Sequence, residues 1–95
     1  MFQIVITPSA KRSAKKLPRQ FRREIIKQSQ KLKKNPYLGE KLTGSLHFLY
    51  SFHIKFKGVN YRLAYTIDKS RKLIIVHLIG PREGFYEKLK RLLRL

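Results

Sequence analysis

Residues 48 to 67 constrain this chain more than any other stretch, because apolar side chains recur there at every second position on both sides of one glycine. Phe52, Ile54 and Phe56 fall on one side of an extended segment, and Ser51, His53, Lys55 and Lys57 on the other. Beyond Gly58, Tyr61, Leu63, Tyr65 and Ile67 alternate with Arg62, Ala64 and Thr66. The pattern is a β-hairpin, and a two-residue Gly58-Val59 loop with glycine leading predicts a type II′ turn. That turn pairs Phe56 with Tyr61, Ile54 with Leu63 and Lys55 with Arg62. One face is then apolar, and the other carries His53, Lys55, Lys57 and Arg62. Like charges directly opposite in a sheet repel. Three cations and an imidazole on one patch therefore read as an anion site, above all for phosphate.

The flanking segments supply the rest of a small α+β domain. Phe2, Ile4 and Ile6 alternate as a short first strand. Thr7-Pro8 is an N-cap followed by proline at the first helical position, predicting a basic helix from Pro8 to Lys16. Pro18 opens a second helix running to about Lys34, with Phe21, Ile25, Gln28 and Leu32 as its apolar stripe and Ile26 and Ser29 alongside; Asn35-Pro36 stops it. Residues 37 to 47 read as a loop anchored by Leu42 and Leu46. The run from Leu73 to Ile79 is apolar on both faces, as a central strand is, and His77 within it reads as a hydrogen-bonded core or near-surface imidazole rather than a ligand. From Glu83 a terminal helix places Phe85, Leu89, Leu92 and Leu93 together, with Arg82 and Tyr86 four apart at its start. The expected order is β-α-α-β-β-β-α: one domain over residues 1–95, with an antiparallel-rich four-stranded sheet, an N-terminal helical hairpin and a C-terminal helix.

Charge narrows the partners. The 95 residues carry 23 Lys and Arg against 5 acids, a formal net charge of +18, which biases the chain toward polyanions and toward an acidic protein partner. Residues 11 to 34 hold eleven cations and one acid, Glu24, where a merely solvated helix surface would mix signs to gain pairings. Arg19, Arg22, Arg23, Lys27 and Lys31 thus form an expected electrostatic docking surface. With no cysteine, a disulfide framework, a thiolate metal site and a Cys nucleophile are excluded. His47, His53 and His77 lack metal-ligand spacing, so neither metal nor other cofactor is expected. The first residues lack a charged segment followed by a signal-length apolar run, and no apolar stretch is long enough to span a bilayer. A cytoplasmic protein without membrane contacts is the expectation.

Two motifs carry a resemblance. Tyr61-Arg62-Leu63-Ala64-Tyr65, and Ile79-Gly80-Pro81-Arg82-Glu83-Gly84-Phe85-Tyr86 after it, are similar to the Tyr-Arg-hydrophobic-hydrophobic-Tyr strand and the Gly-x-Arg…Tyr segment of the RelE/ParE superfamily of type II toxins. The resemblance covers nearly the whole chain. Its RelE branch implies a toxin that cuts mRNA in the ribosomal A site, with a cognate small acidic antitoxin, monomeric when free and otherwise in a heteromer. The ParE branch implies inhibition of DNA gyrase by protein binding; a non-catalytic RNA-binding module is the remaining alternative. Matched to the RelE pattern, Lys55, Lys57 and Arg62 bind the RNA phosphate, and His53, Lys55, Arg62, Arg82 and Tyr86 form the catalytic set. His53 stands where that pattern often has a further lysine.

The chemistry implied is attack of a 2′-OH on the adjacent phosphate, without metal, to leave a 2′,3′-cyclic phosphate. Arg62 and Arg82 suit the phosphorane, since a guanidinium can bind two oxygens at once. A lysine is almost wholly protonated at neutral pH, whereas an unperturbed histidine titrates near about 6.5. His53 or Lys55 is the base, Tyr86 an auxiliary group, and the acid stays open.

Overall fold

The computed structural model describes residues 1–95. The sheet has five strands rather than four: β1 (Gln3–Ile6), β2 (Glu40–Lys41), β3 (Tyr50–Phe56), β4 (Val59–Asp68) and β5 (Leu73–Pro81). They lie in the order β1-β5-β4-β3-β2, with β1 parallel to β5 and every other pair antiparallel. The additional strand, β2, is two residues long and pairs Glu40 with Ser51 and Lys41 with Tyr50. A segment that short cannot show an alternating pattern, so the sequence reads as loop there.

The hairpin forms two residues away from the expected register. Lys57 and Gly58, at φ 50° and 77°, are the two loop residues, and Phe56 pairs with Val59. Two positive φ values in succession define a type I′ loop, which matches strand twist as well as type II′ does. Each β3 residue consequently meets a β4 partner two positions from the expected one: Ile54 faces Tyr61, Phe52 faces Leu63, and His53 faces Arg62. A shift of two keeps every side chain on its face. The apolar face survives, while the opposed Lys55–Arg62 pair disappears and Lys55 faces Asn60.

Helix α1 (Pro8–Lys15) starts where expected, with Thr7 Oγ1 accepting from the Ala10 N–H at 3.2 Å. The expected second helix is broken at Gln30 into α2 (Arg19–Ser29) and a single turn, α3 (Lys31–Lys34). The Gln30 N–H bonds the Lys27 carbonyl, one residue short of the helical partner, and so ends α2. Helix α1 lies against β5 and α2 against β3, so the two are anchored to strands more than to each other. Ala10, Ile25 and Leu32 from these helices, with Leu17 from the connection between α1 and α2, bury against Ile54, Tyr61, Leu63, Tyr65, Ile74, Val76 and Ile79. Phe21 closes this layer with rings 5.2 Å from both Phe56 and Tyr61. Ile26 stays 58% exposed, outside the stripe expected to include it.

Strand β5 serves both faces through a bulge. Ala64 pairs with Leu78 but Tyr65 pairs with Val76, leaving His77 as the extra residue. The bulge reverses the side-chain alternation, which is why Ile74, Val76 and Ile79 all reach one core although their numbers differ in parity. The other face carries a smaller core of Leu46, Leu49, Ala64, Phe85 and Leu89 beneath α4 (Phe85–Leu93). The helix begins two residues later than expected, because Gly84 adopts φ 65° as its N-cap and keeps Arg82 and Glu83 outside it. Helix α4 covers the Ala64 and Leu78 part of that face. The part bearing His53 and Lys55 stays exposed.

Candidate functional site

Three segments meet at the edge of this uncovered surface. Strand β3 presents His53, β4 presents Arg62 directly opposite, and the first turn of α4 brings Tyr86. Phe85 and Leu89, fully buried, fix the rotation of α4, and Tyr86 follows from that rotation. The Nη1 group of Arg62 donates to the Tyr86 hydroxyl at 3.0 Å and is also hydrogen-bonded to His53 Nε2. The guanidinium carbon lies 5.4 Å from the centroid of the Tyr86 ring, within cation–π range. A guanidinium can only donate, so the His53 Nε2 in this contact bears a lone pair and the ring is neutral with its proton on Nδ1. Burial chiefly, and the Arg62 charge next, hold the His53 ring below the usual imidazole range, while Glu40 opposes them. A neutral imidazole hydrogen-bonded to a guanidinium is chemically a base beside an anion binder.

The remaining sequence candidates divide. Lys55 shares the His53 face, exposed and paired across the ladder with Asn60. Arg82 lies two ladder rows beyond the Arg62–Gly80 pair, its N–H donating to the Asn60 carbonyl at 3.0 Å. Its side chain makes no hydrogen bond to the cluster and lines a separate depression with Gly58, Asn60 and Glu83. Lys57 is not in the patch. As a turn residue with positive φ it leaves the strand's alternation, and its Nζ donates to Gln20 Oε1 of α2 at 2.8 Å. The expectation that Arg82 and Tyr86 share a helix end also falls, since Arg82 precedes the helix. Arg19, Arg23, Lys27 and Lys31 are exposed on α2 and α3, on the opposite side of the sheet from His53 and Arg62; Arg22 is half-buried there, its Nε without a partner.

One residue of the cluster is not among the sequence candidates. Glu40 Oε2 lies 3.6 Å from His53 Nε2. Its only sequence signal is rarity, as one of five acids in the chain. Glu40 and Tyr86 also line a groove of about 380 Å³ floored by Leu42 and Leu46 and edged by Thr43 and Lys90. No group of three or more His, Cys, Asp and Glu side chains comes together to hold a metal ion, and no helix is long and apolar enough to cross a membrane.

Residues 4–90 match the family described as ParE-like toxin of type II bacterial toxin-antitoxin system. The chain belongs to that family. The toxin's fold is also that of solved RelE structures. It superimposes on the toxin–antitoxin complex RelBE2 from Mycobacterium tuberculosis with a TM-score of 0.73 at 24% identity, covering 85% of this chain and 98% of that one. The isolated E. coli RelE toxin gives 0.69 at 20% identity, covering 97% and 99%. The archaeal RelE–RelB complex from Pyrococcus horikoshii gives 0.61 at 20%, covering 86% and 96%. At these identities the likeness establishes the RelE-like architecture of the toxin. A comparison with curated proteins returned no match.

Proposed function

We propose that the toxin is a metal-independent endoribonuclease that cuts mRNA in the ribosomal A site. The observation that supports this reading most is the Arg62 guanidinium, held between His53 Nε2 and the Tyr86 hydroxyl. In the proposed reaction a phosphate draws Arg62 onto its oxygens, which frees Nε2 to take the proton of the 2′-OH. The 2′-oxygen attacks phosphorus, the 5′-oxygen leaves, and the product is a 2′,3′-cyclic phosphate. Arg62 stabilises the phosphorane, His53 is the base, Tyr86 orients the guanidinium, and Lys55 and Arg82 add positive potential on either side. Arg62 Nε is buried without a partner, a donor that a re-oriented guanidinium could use. Charge supplied by the chain itself removes the need for a metal. The catalytic groups are modest, so positioning by the ribosome would supply much of the rate. The cations of α2 and α3 are the proposed docking surface for ribosomal RNA. A small acidic antitoxin is the proposed partner in the resting cell, in keeping with the antitoxin-bound RelE structures.

Toeprinting on translating ribosomes with purified toxin tests the reading. Cuts within A-site codons that vanish with Arg62→Ala support it, and intact mRNA counts against it. The ParE-like description of the matched family favours a second reading, inhibition of gyrase by protein binding. Intact mRNA together with blocked supercoiling would select that one.

A further inference from the structure

The His53 ring has two neighbours that make opposite demands on one nitrogen. Arg62 Nη1 only donates and needs Nε2 bare; the Glu40 carboxylate, 3.6 Å away, only accepts and needs Nε2 protonated. Both demands cannot be met in one state of the ring. The geometry follows from the sheet: β2 pairs Glu40 with Ser51, two residues before His53 on the same face, while β4 puts Arg62 directly opposite His53. The other groups facing the ring are Lys55 from its own strand and Tyr86 from α4, reached through Arg62. Lys41 pairs with Tyr50 and belongs to the opposite face. Glu40 is therefore the only anion available to an imidazolium at this position.

We propose that Glu40 is a positioning residue, the acceptor that takes over His53 Nε2–H once the ring is protonated and keeps Arg62 on the phosphate. The proposal rests on the endoribonuclease reading above. As the 2′-OH proton moves to Nε2, the 2′-oxygen bonds to phosphorus and the bond from phosphorus to the 5′-oxygen breaks, that oxygen taking a proton from water. Protonation turns the His53–Arg62 contact from a hydrogen bond into a meeting of two cations. The same event turns the Glu40 contact into an ion pair. The ring swings its allegiance to Glu40, and the guanidinium, still held by the Tyr86 hydroxyl, has no imidazole acceptor to return to until His53 gives its proton to solvent.

The test couples an NMR titration of the His53 ring in the full chain, without RNA, to single-turnover cleavage of ribosome-bound mRNA across pH. Glu40→Gln is expected to lower the titration midpoint by about half a pH unit, the scale of a half-exposed ion pair, and to slow cleavage at neutral pH about threefold. The acid limb of the pH–rate profile should move down with the midpoint. Glu40→Asp should recover most of both effects, and Glu40→Gln should add nothing in a His53→Gln background. An unmoved midpoint overturns the pairing, whatever the toxin cleaves. A moved midpoint with unchanged cleavage, or an effect that persists without His53, overturns the positioning role. Intact mRNA with wild-type toxin overturns instead the endoribonuclease reading on which the proposal rests.

Discussion

Arg62 and Tyr86 are joined twice, by a hydrogen bond of 3.0 Å from Nη1 to the hydroxyl and by the guanidinium lying over the ring at 5.4 Å. The two contacts can be separated. Tyr86→Phe keeps the aromatic face and removes the acceptor, leaving Arg62 free to pivot. Hydrogen bonds to charged groups contribute about 1.5–3 kcal/mol, so single-turnover cleavage should fall by about tenfold or more with the fold intact by circular dichroism. Arg62→Ala should go further, losing about 10²–10³-fold in the manner of a deleted oxyanion donor, and should abolish growth arrest. An Arg62→Ala toxin that still arrests growth fully would falsify the site.

Tyr65 braces the segment leading to Glu40. Its buried hydroxyl donates to the Pro36 carbonyl at 2.6 Å and accepts from the Gly39 N–H at 3.0 Å, and burial pushes its pKa up to about 12, so it remains a donor throughout the physiological range. Tyr65→Phe strands both backbone groups and should cost about 1–3 kcal/mol in a urea titration. Gly39→Ala should also destabilise, because a Cβ there would sit 2.6 Å from the Tyr65 hydroxyl and 3.0 Å from the Ser51 carbonyl. A Gly39→Ala midpoint equal to wild type would show that this close approach relaxes without cost.

Stability should fall on acidification through a named group. Burial holds the His77 ring below its usual pKa, with Nε2 2.9 Å from Thr66 Oγ1. A histidine whose folded pKa is depressed takes up protons more readily when unfolded. Its contribution is therefore complete above the unfolded value of about 6.5 and is lost as pH falls through it. His53 shifts in the same direction and adds to the effect. Urea midpoints measured from about pH 7.5 down to about pH 5 should decline in wild type and decline less in His77→Gln. Equal slopes would assign the loss elsewhere.

The α2 cations should behave collectively. Replacing Arg23 and Lys27 with Gln should weaken ribosome association gradually and flatten its dependence on salt, by roughly one unit of log–log slope for each phosphate no longer neutralised. A steep loss from either substitution alone would indicate a specific contact. Arg22 is a poorer probe, because its half-buried side chain would confound affinity with packing.

Much of the fold is legible in the chain alone. Thr7-Pro8 marks the start of α1, Leu73 to Ile79 lies in a strand flanked on both sides, and His77 is a half-buried imidazole hydrogen-bonded to Thr66. What the sequence by itself determined is which side of β3 and of β4 is apolar, because alternation is a local property and survives a two-residue change of partner. The tertiary structure decided who faces whom. Lys57 could take its positive φ and make Gly58 the second turn residue, which moved Arg62 from Lys55 to His53 and carried Lys57 away toward Gln20. Glu40 entered the cluster through a two-residue strand, and Tyr86 through the seating of Phe85 and Leu89. Such relations depend on turn geometry and on packing between distant segments, and neither leaves a periodic trace in the chain.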